Sequence, residues 1–162
     1  MTEARYFCIV SRGDEMNSSF DIEFGFDKTD EAIKLAEEAA LKALTEIGLQ
    51  AERNAKKLCA VDTGLLRNSI TYAIDGEPPN IGEYKADKAK KGKSEIETGG
   101  YSGSVPASED GERAVYIGTN VEYAQYIEAG SSKKAPKGFL KPAIEEHKSE
   151  YMEIIKKNMQ NA

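Results

Sequence analysis

Apolar and polar residues alternate from Phe20 to Phe26, with Phe20, Ile22 and Phe24 on one side and Asp21 and Glu23 on the other. That period of two predicts a half-buried strand. The period then lengthens. Asp27 to Thr29 opens a helix, and Asp30 and Glu31 suit its positive N-terminus. Ile33, Ala36, Ala40, Leu44, Ile47, Ala51, Ala55 and Leu58 follow at steps of three and four, one stripe of a long amphipathic helix. At ~1.5 Å per residue this helix would run roughly 45 Å. Its stripe is rich in alanine, so a neighbour can pack close. Gly48, unfavourable in a helix by about 1 kcal/mol, marks a bend or a close contact.

After Cys59 the helical period stops. Asp62-Thr63-Gly64 reads as a turn, since Asp bonds its own backbone and Gly accepts positive φ. Arg67 to Ile74 reads as a strand with Ile70, Tyr72 and Ile74 on one side, closed by Gly76 and Pro78-Pro79. Residues 75–113 are polar, rich in Gly and Ser, and hold five lysines between Lys85 and Lys93. So long a featureless stretch inside a domain is uncommon and is usually functional or disordered. Strand chemistry returns at Ala114 to Gly118. Tyr123 to Ala129 reads as a short helix with Tyr123, Tyr126 and Ile127 on a shared face, ended by Gly130. A basic loop, Ser131 to Gly138, leads to a last helix with Pro142 in its first turn. Its stripe is Ile144, His147, Tyr151, Ile154, Ile155 and Met159.

These elements predict an α+β fold: a long amphipathic helix packed on a small antiparallel sheet, a C-terminal helix and a long projecting central loop. Residues 1–19 read as an N-terminal arm, with a short strand from Tyr6 to Val10. Residues 20–162 read as a single domain, with 75–113 as an inserted loop. Met16-Asn17 resembles an internal start. With 162 residues, 40% of them apolar, the chain can bury a real core.

Composition then narrows the function classes. Lys plus Arg is 22 against 28 for Asp plus Glu, a net charge of −6, which argues against a dedicated nucleic-acid binder. A local contact through the central lysines stays open. Cys8 and Cys59 sit in apolar surroundings and read as free buried thiols. The apolar run Tyr6 to Val10 is too short for a secretory signal, and no run spans a bilayer. A soluble product of a reducing cytoplasm is expected, with no membrane contact.

Candidate chemistry is thin. Asp62-Thr63-Gly64 is the tripeptide of retroviral-type aspartic proteases, in which two such Asp residues share a proton across a dimer. Here it follows a long helix instead of a strand, and Leu65 stands where those enzymes place Ala or Ser. Gly92-Lys93-Ser94 suggests a phosphate loop, but Asp87 stands where its first Gly belongs. One His and two distant Cys cannot supply four metal ligands. His147 lies on an apolar stripe, and no Ser sits in a nucleophile elbow. A DNA-binding accessory role would rest on the central lysines, without aromatic interleaving for base stacking. No catalytic residue, cofactor or metal is therefore expected.

Two segments carry a resemblance. The first is Leu58 to Ile70, with Asp62, Thr63, Gly64, Leu66, Arg67, Ser69 and Ile70. The second runs from Val115 through Gly118, Thr119, Tyr123, Tyr126, Glu128 and Gly130 to Phe139, Leu140, Pro142 and Ala143. In this order, behind a long amphipathic helix, they resemble the phage HK-ninety-seven gene-product-ten-like tail-component family over about residues 28–157. Three departures stand out: Cys59-Ala60 in place of Ala-Pro, Gly138 in place of a Pro before Phe-Leu, and a longer central loop. The resemblance implies a structural virion protein, a tail-completion or head–tail joining subunit of the neck, assembled in the host bacterial cytoplasm. It implies a homo-oligomer, a hexameric ring, that meets a tail terminator or tail-tube protein on one side and head-completion or connector proteins on the other. Passive contact with phage DNA in the channel would follow. The motif residues then have architectural jobs: Gly64 permits the reversal, Asp62 holds the turn, Arg67 reaches Asp62 or a neighbouring carboxylate, and Phe139 and Leu140 anchor the loop. Lys85, Lys88, Lys90, Lys91, Lys93 and Tyr101 are candidate interface residues, on a loop expected to be dispensable for folding.

Overall fold

The computed structural model describes residues 7–8, 30–75, 77–102 and 113–160, with side chains of the first helix from Lys34 onward. The strand expected at Phe20 to Phe26 lies outside the described residues. In chain order the elements are β1 (Phe7–Cys8), α1 (Asp30–Leu58), α2 (Leu65–Ser69), β2 (Thr71–Ile74), β3 (Glu83–Lys85), β4 (Thr98–Gly100), β5 (Val115–Thr119), α3 (Ala124–Glu128), α4 (Leu140–Glu145) and α5 (Lys148–Gln160). The α+β architecture is as expected: one long helix, small antiparallel sheets and C-terminal helices.

The main sheet has the order β1-β5-β2. β2 and β5 run antiparallel, Thr71 opposite Gly118 and Ile74 opposite Val115. β1 lies on the other side of β5, Phe7 opposite Thr119. α1 crosses this sheet and also packs against α4 and α5. Alanines make that approach possible: Ala36, Ala39, Ala43, Ala51 and Ala55 are buried with Ile47. The buried stripe is rotated slightly from the sequence reading, since Ala39 and Ala43 replace Ala40 and Leu44 and Leu58 is exposed. Gly48 is the close contact: a Cβ there would fall 2.3 Å from Tyr72 Cδ2. The core joins Ile47, Ala51, Ala55 and Cys59 of α1 and its end to Leu66, Ile70 and Ile117, and to Phe139, Leu140, Ala143 and Tyr151.

Three expectations change. First, Arg67 does not begin a strand. Leu65–Ser69 is a short helix, with Asn68 N–H bonded to Gly64 O at 2.9 Å, and extended chain begins only at Ile70. Gly64 at φ 89 starts this helix directly from the turn, which hydrophobic alternation could not signal. Second, the C-terminal helix is two helices. At the break the Tyr151 hydroxyl donates to Ala143 O at 2.7 Å, the carbonyl that His147 N–H would take in an unbroken helix. Third, the described part of the central loop folds back as a β3–β4 hairpin against α2. Its Lys85 to Tyr101 portion is therefore scaffold, and it would not leave the fold untouched if deleted.

Candidate functional site

The signature segments converge on one corner of the molecule. α1 ends at Leu58, and Asp62-Thr63-Gly64 turns the chain into α2. Thr63, not Asp62, makes the turn contact: its Oγ1 accepts from Leu65 N–H at 3.4 Å, while Asp62 is exposed. Gly64 is required twice, by its left-handed φ and by space, since a Cβ would fall 2.0 Å from Asp87 Oδ2.

Asp87 is the residue that sequence reasoning missed. Arg67 Nη2 reaches its Oδ2 at 2.6 Å, so the carboxylate partner of Arg67 is Asp87 and not Asp62. Asn68 Nδ2 donates to Asp87 Oδ1 and to Lys85 O, both at 2.9 Å. The backbone completes the clasp, with Asp87 N–H donating to Thr63 O at 2.9 Å. No local pattern marks Asp87; its partners lie 20 and 19 residues away.

A second clasp is built on Ser69, which is fully buried. Its hydroxyl donates to Leu66 O at 2.7 Å and meets Thr119 Oγ1 at 2.6 Å. With the Ser69 proton committed to the carbonyl, the Thr119 hydroxyl is the donor between them. Thr119 Oγ1 in turn accepts from Val121 N–H at 3.2 Å. Gly118 and Thr119 both belong to β5, so the strand runs one residue past the Gly118 expected from the sequence. Tyr101 donates its hydroxyl to Ser69 O and accepts from Asn120 N–H at 3.3 Å. Burial pushes the Tyr101 phenol well above its ordinary pKa. Tyr101, a candidate interface residue, is half-buried and ties Ser69 to Asn120. Asn120 also donates to Gly100 O at 2.8 Å and accepts from Tyr84.

The third clasp joins the two halves of the second motif. Glu128, at the end of α3, accepts from three backbone N–H groups at the start of α4: Phe139 at 2.7 Å, Leu140 at 3.0 Å and Lys141 at 2.8 Å. These are donors that a helix start leaves unmatched, and a carboxylate there also meets the positive end of the helix. Phe139 and Leu140 are fully buried beside it, as an anchor should be. Pro142 lies within the first turn of α4, and Gly130 closes α3 at φ 79.

Other predicted residues stay outside. Tyr123 and Tyr126 are exposed, and Ala124 and Ile127 face the core instead. The Tyr123 phenol is pushed up first by partial burial and then by the Glu97 carboxylate. Lys85, Lys88, Lys90, Lys91 and Lys93 are exposed, the last four around a turn at Gly92 of φ 86. Lys93 pairs weakly with Glu97 at 3.9 Å. His147 Nδ1 is hydrogen-bonded to Glu150 Oε1 at 2.9 Å, which holds the Glu150 carboxyl below its ordinary value. Cys59 is a buried free thiol whose pKa burial pushes up to about 11, despite the opposing pull of Arg67. The side chain of Cys8 lies outside the described residues.

Beside the corner lies an open groove of about 530 Å³, lined by Leu49, Glu52, Arg53, Lys56, Lys57, Cys59, Val61 and Arg67. Glu52 pairs with Lys56 at 2.6 Å, and its Oε2 is buried without a hydrogen bond among the described residues. The described residues hold no His, Cys, Asp and Glu grouping fit for a metal, and no helix among them is long and apolar enough to cross a membrane. The corner is a set of internal ties, and Asp87 of the hairpin segment packs against Thr63 and Gly64 of the protease-like tripeptide.

Residues 20–130 match a family model described as "Bacteriophage HK97-gp10, putative tail-component". No curated protein and no solved structure matches the chain significantly.

Proposed function

The chain belongs to the HK97-gp10-like family of phage tail components, and from that premise we propose that it is a tail-completion or head–tail joining subunit. A tail component is a structural virion protein. The finer reading places it in the neck, as a ring at the head-proximal end of the tail, assembled in the host cytoplasm. It would touch a tail terminator or tail-tube protein on one face and head-completion or connector proteins on the other. No catalytic role is assigned.

The observation that carries this reading is the use made of the signature residues. Thr63, Gly64, Arg67, Ser69, Thr119 and Glu128 are engaged by the chain's own backbone and by its Asp87 side chain. A site built for turnover keeps such groups free for a substrate; a part built for assembly uses them to fix a shape. The lysines around Gly92 remain exposed and would face phosphates if the ring surrounds DNA.

Electron microscopy of lysates from a phage lacking this gene tests the proposal. Separate full heads and separate tails are expected. Normal infectious particles would refute any role in assembly, and absence of tails altogether would move the protein to an earlier step than joining.

A further inference from the structure

Between Ala129 and Leu140 the chain carries Lys133, Lys134 and Lys137 and no acidic residue, on a molecule whose net charge is −6. Residues 131–137 are all exposed. The three lysines have no ion-pair partner among the described residues, whereas Lys141, just past the loop, pairs with Glu145 at 3.8 Å. Glu128, the acid that precedes the loop, is occupied by three N–H groups of the α4 start. Glu122 lies before the opposite end of α3.

The loop is also held in shape. Ser131 N–H donates to Lys134 O at 2.9 Å, and Lys134 N–H to Ser131 O at 3.2 Å. That mutual pair makes the tip a tight hairpin turn with its ends about 5.5 Å apart. Lys133 N–H donates to Ser131 Oγ at 3.4 Å. At the far stem Lys137 N–H donates to Ile127 O at 2.8 Å. Like charges fixed on one turn repel unless an opposite charge comes from outside.

The residue types choose the partner. Lysine and serine are depleted at protein interfaces, where aromatic residues and arginine are enriched. Both are ordinary donors to phosphate oxygens. Residues 131–137 include no large apolar side chain to enter a lipid surface and no aromatic ring on which an unpaired base could stack. Duplex DNA carries one negative charge per ~1.7 Å of axis, so a tip of this width meets about three of them. Tyr126, 60% exposed and next in the chain to Ile127, places one more hydroxyl at the foot of the loop.

We propose that the Ser131–Lys137 loop is a sequence-independent contact for the phosphate backbone of double-helical DNA. The inference goes beyond the tail-joining reading and rests on it only for the choice of DNA among polyphosphates.

Fluorescence anisotropy of the full chain with a labelled random-sequence duplex tests it. Three phosphate contacts give a log–log salt slope of about −2.7, an affinity loss of about 40-fold between ~50 and ~200 mM salt. Lys133→Gln, Lys134→Gln and Lys137→Gln together flatten the slope by about 2.7 and weaken binding about tenfold or more at the lower salt. Arginine at the same positions keeps binding, and both variants melt like wild type because the loop is exposed on fixed stems. A wild type that does not bind at the lower salt, or a neutralised variant that binds like wild type, overturns the assignment. So does a loss produced only by Lys88→Gln, Lys90→Gln and Lys91→Gln in the hairpin. Tighter binding to single strands or to anionic lipid vesicles also overturns it. Displacement by polyglutamate more readily than by unlabelled duplex would mark an acidic protein as the partner and overturn it too. Normal particles from the gene deletion would instead defeat the tail-joining role without altering this binding, so the two failures are told apart.

Discussion

Replacing Glu128 by alanine removes one carboxylate from three backbone donors at once. Phe139 and Leu140 N–H sit on residues that are fully buried, so water cannot substitute for the lost acceptor there. A hydrogen bond to a charged group contributes about 1.5–3 kcal/mol, and each stranded buried donor costs about 1–3 kcal/mol. Lys141 N–H is exposed and recovers water, so its share is small. The helix-end charge effect adds about 0.3–1 kcal/mol. Because these contributions overlap, a total of about 3–5 kcal/mol is expected for Glu128→Ala. Glu128→Gln keeps one acceptor oxygen but turns an amide NH₂ toward a donor, and should cost about half as much. At ~2–4 °C per kcal/mol for a chain of this size, the alanine variant should melt roughly 10 °C lower. Urea and thermal unfolding followed by far-UV circular dichroism measure this, with Gln125→Ala on exposed α3 surface as control. A Glu128→Ala loss within about 0.5 kcal/mol of that control would refute the capping argument.

Three further outcomes follow from the same contacts. Gly64→Val should destabilise by well over ~2 kcal/mol, since a branched side chain adopts φ 89 poorly and would displace Asp87 from Arg67, whereas Asp62→Asn should stay within about 0.5 kcal/mol in the same melts. Gly48→Ala should lower stability by about 1–3 kcal/mol through collision with the Tyr72 ring, against the gain in helix propensity; a stabilised variant would show that the ring moves freely. In a Cys8→Ser background, Cys59 should react with a thiol reagent at pH 8 about a hundredfold more slowly than unfolded chain from ionisation alone, because its pKa is raised from 9.0 to about 11. The sign follows: between those values the unfolded thiol loses its proton first, so stability falls as pH rises from about 9 toward 11 and is unaffected by this group below. Equal labelling rates in folded and unfolded chains would contradict the burial.

Much of this was legible because α1 repeats one pattern over eight turns and β5 alternates cleanly. Gly64 and Gly130 were legible because turns that take a positive φ favour glycine. What escaped reading depends on distant partners. Five residues of α2 carry too little periodicity to outweigh the strand-like Ile70, Tyr72 and Ile74 that follow. The β3–β4 hairpin is short and poor in apolar residues. Arg67 and Asn68 on Asp87, and Tyr84 and Tyr101 on Asn120, help hold it, and no window of sequence shows those pairs. Tyr123 and Tyr126 were grouped with Ile127 on one face by residue type, yet both tyrosines are exposed and the small Ala124 is the buried residue of α3. Glu128 was visible as a motif member, but its job requires knowing that α3 ends where α4 begins.

That meeting of α3 and α4 has a consequence for how the protein can change. Glu128 pins Phe139 to Lys141, and Ile127 O takes Lys137 N–H at 2.8 Å, so both stems of the segment from Ala129 to Gly138 are fixed on the body. Ser131 and Lys134 bond each other across its tip, and residues 131–137 are exposed. The segment is thus an interchangeable cassette: its tip can be rewritten, or can carry an epitope tag, while the stems keep the scaffold in register. Diversity among tails that must fit different partners could accumulate there without disturbing the fold.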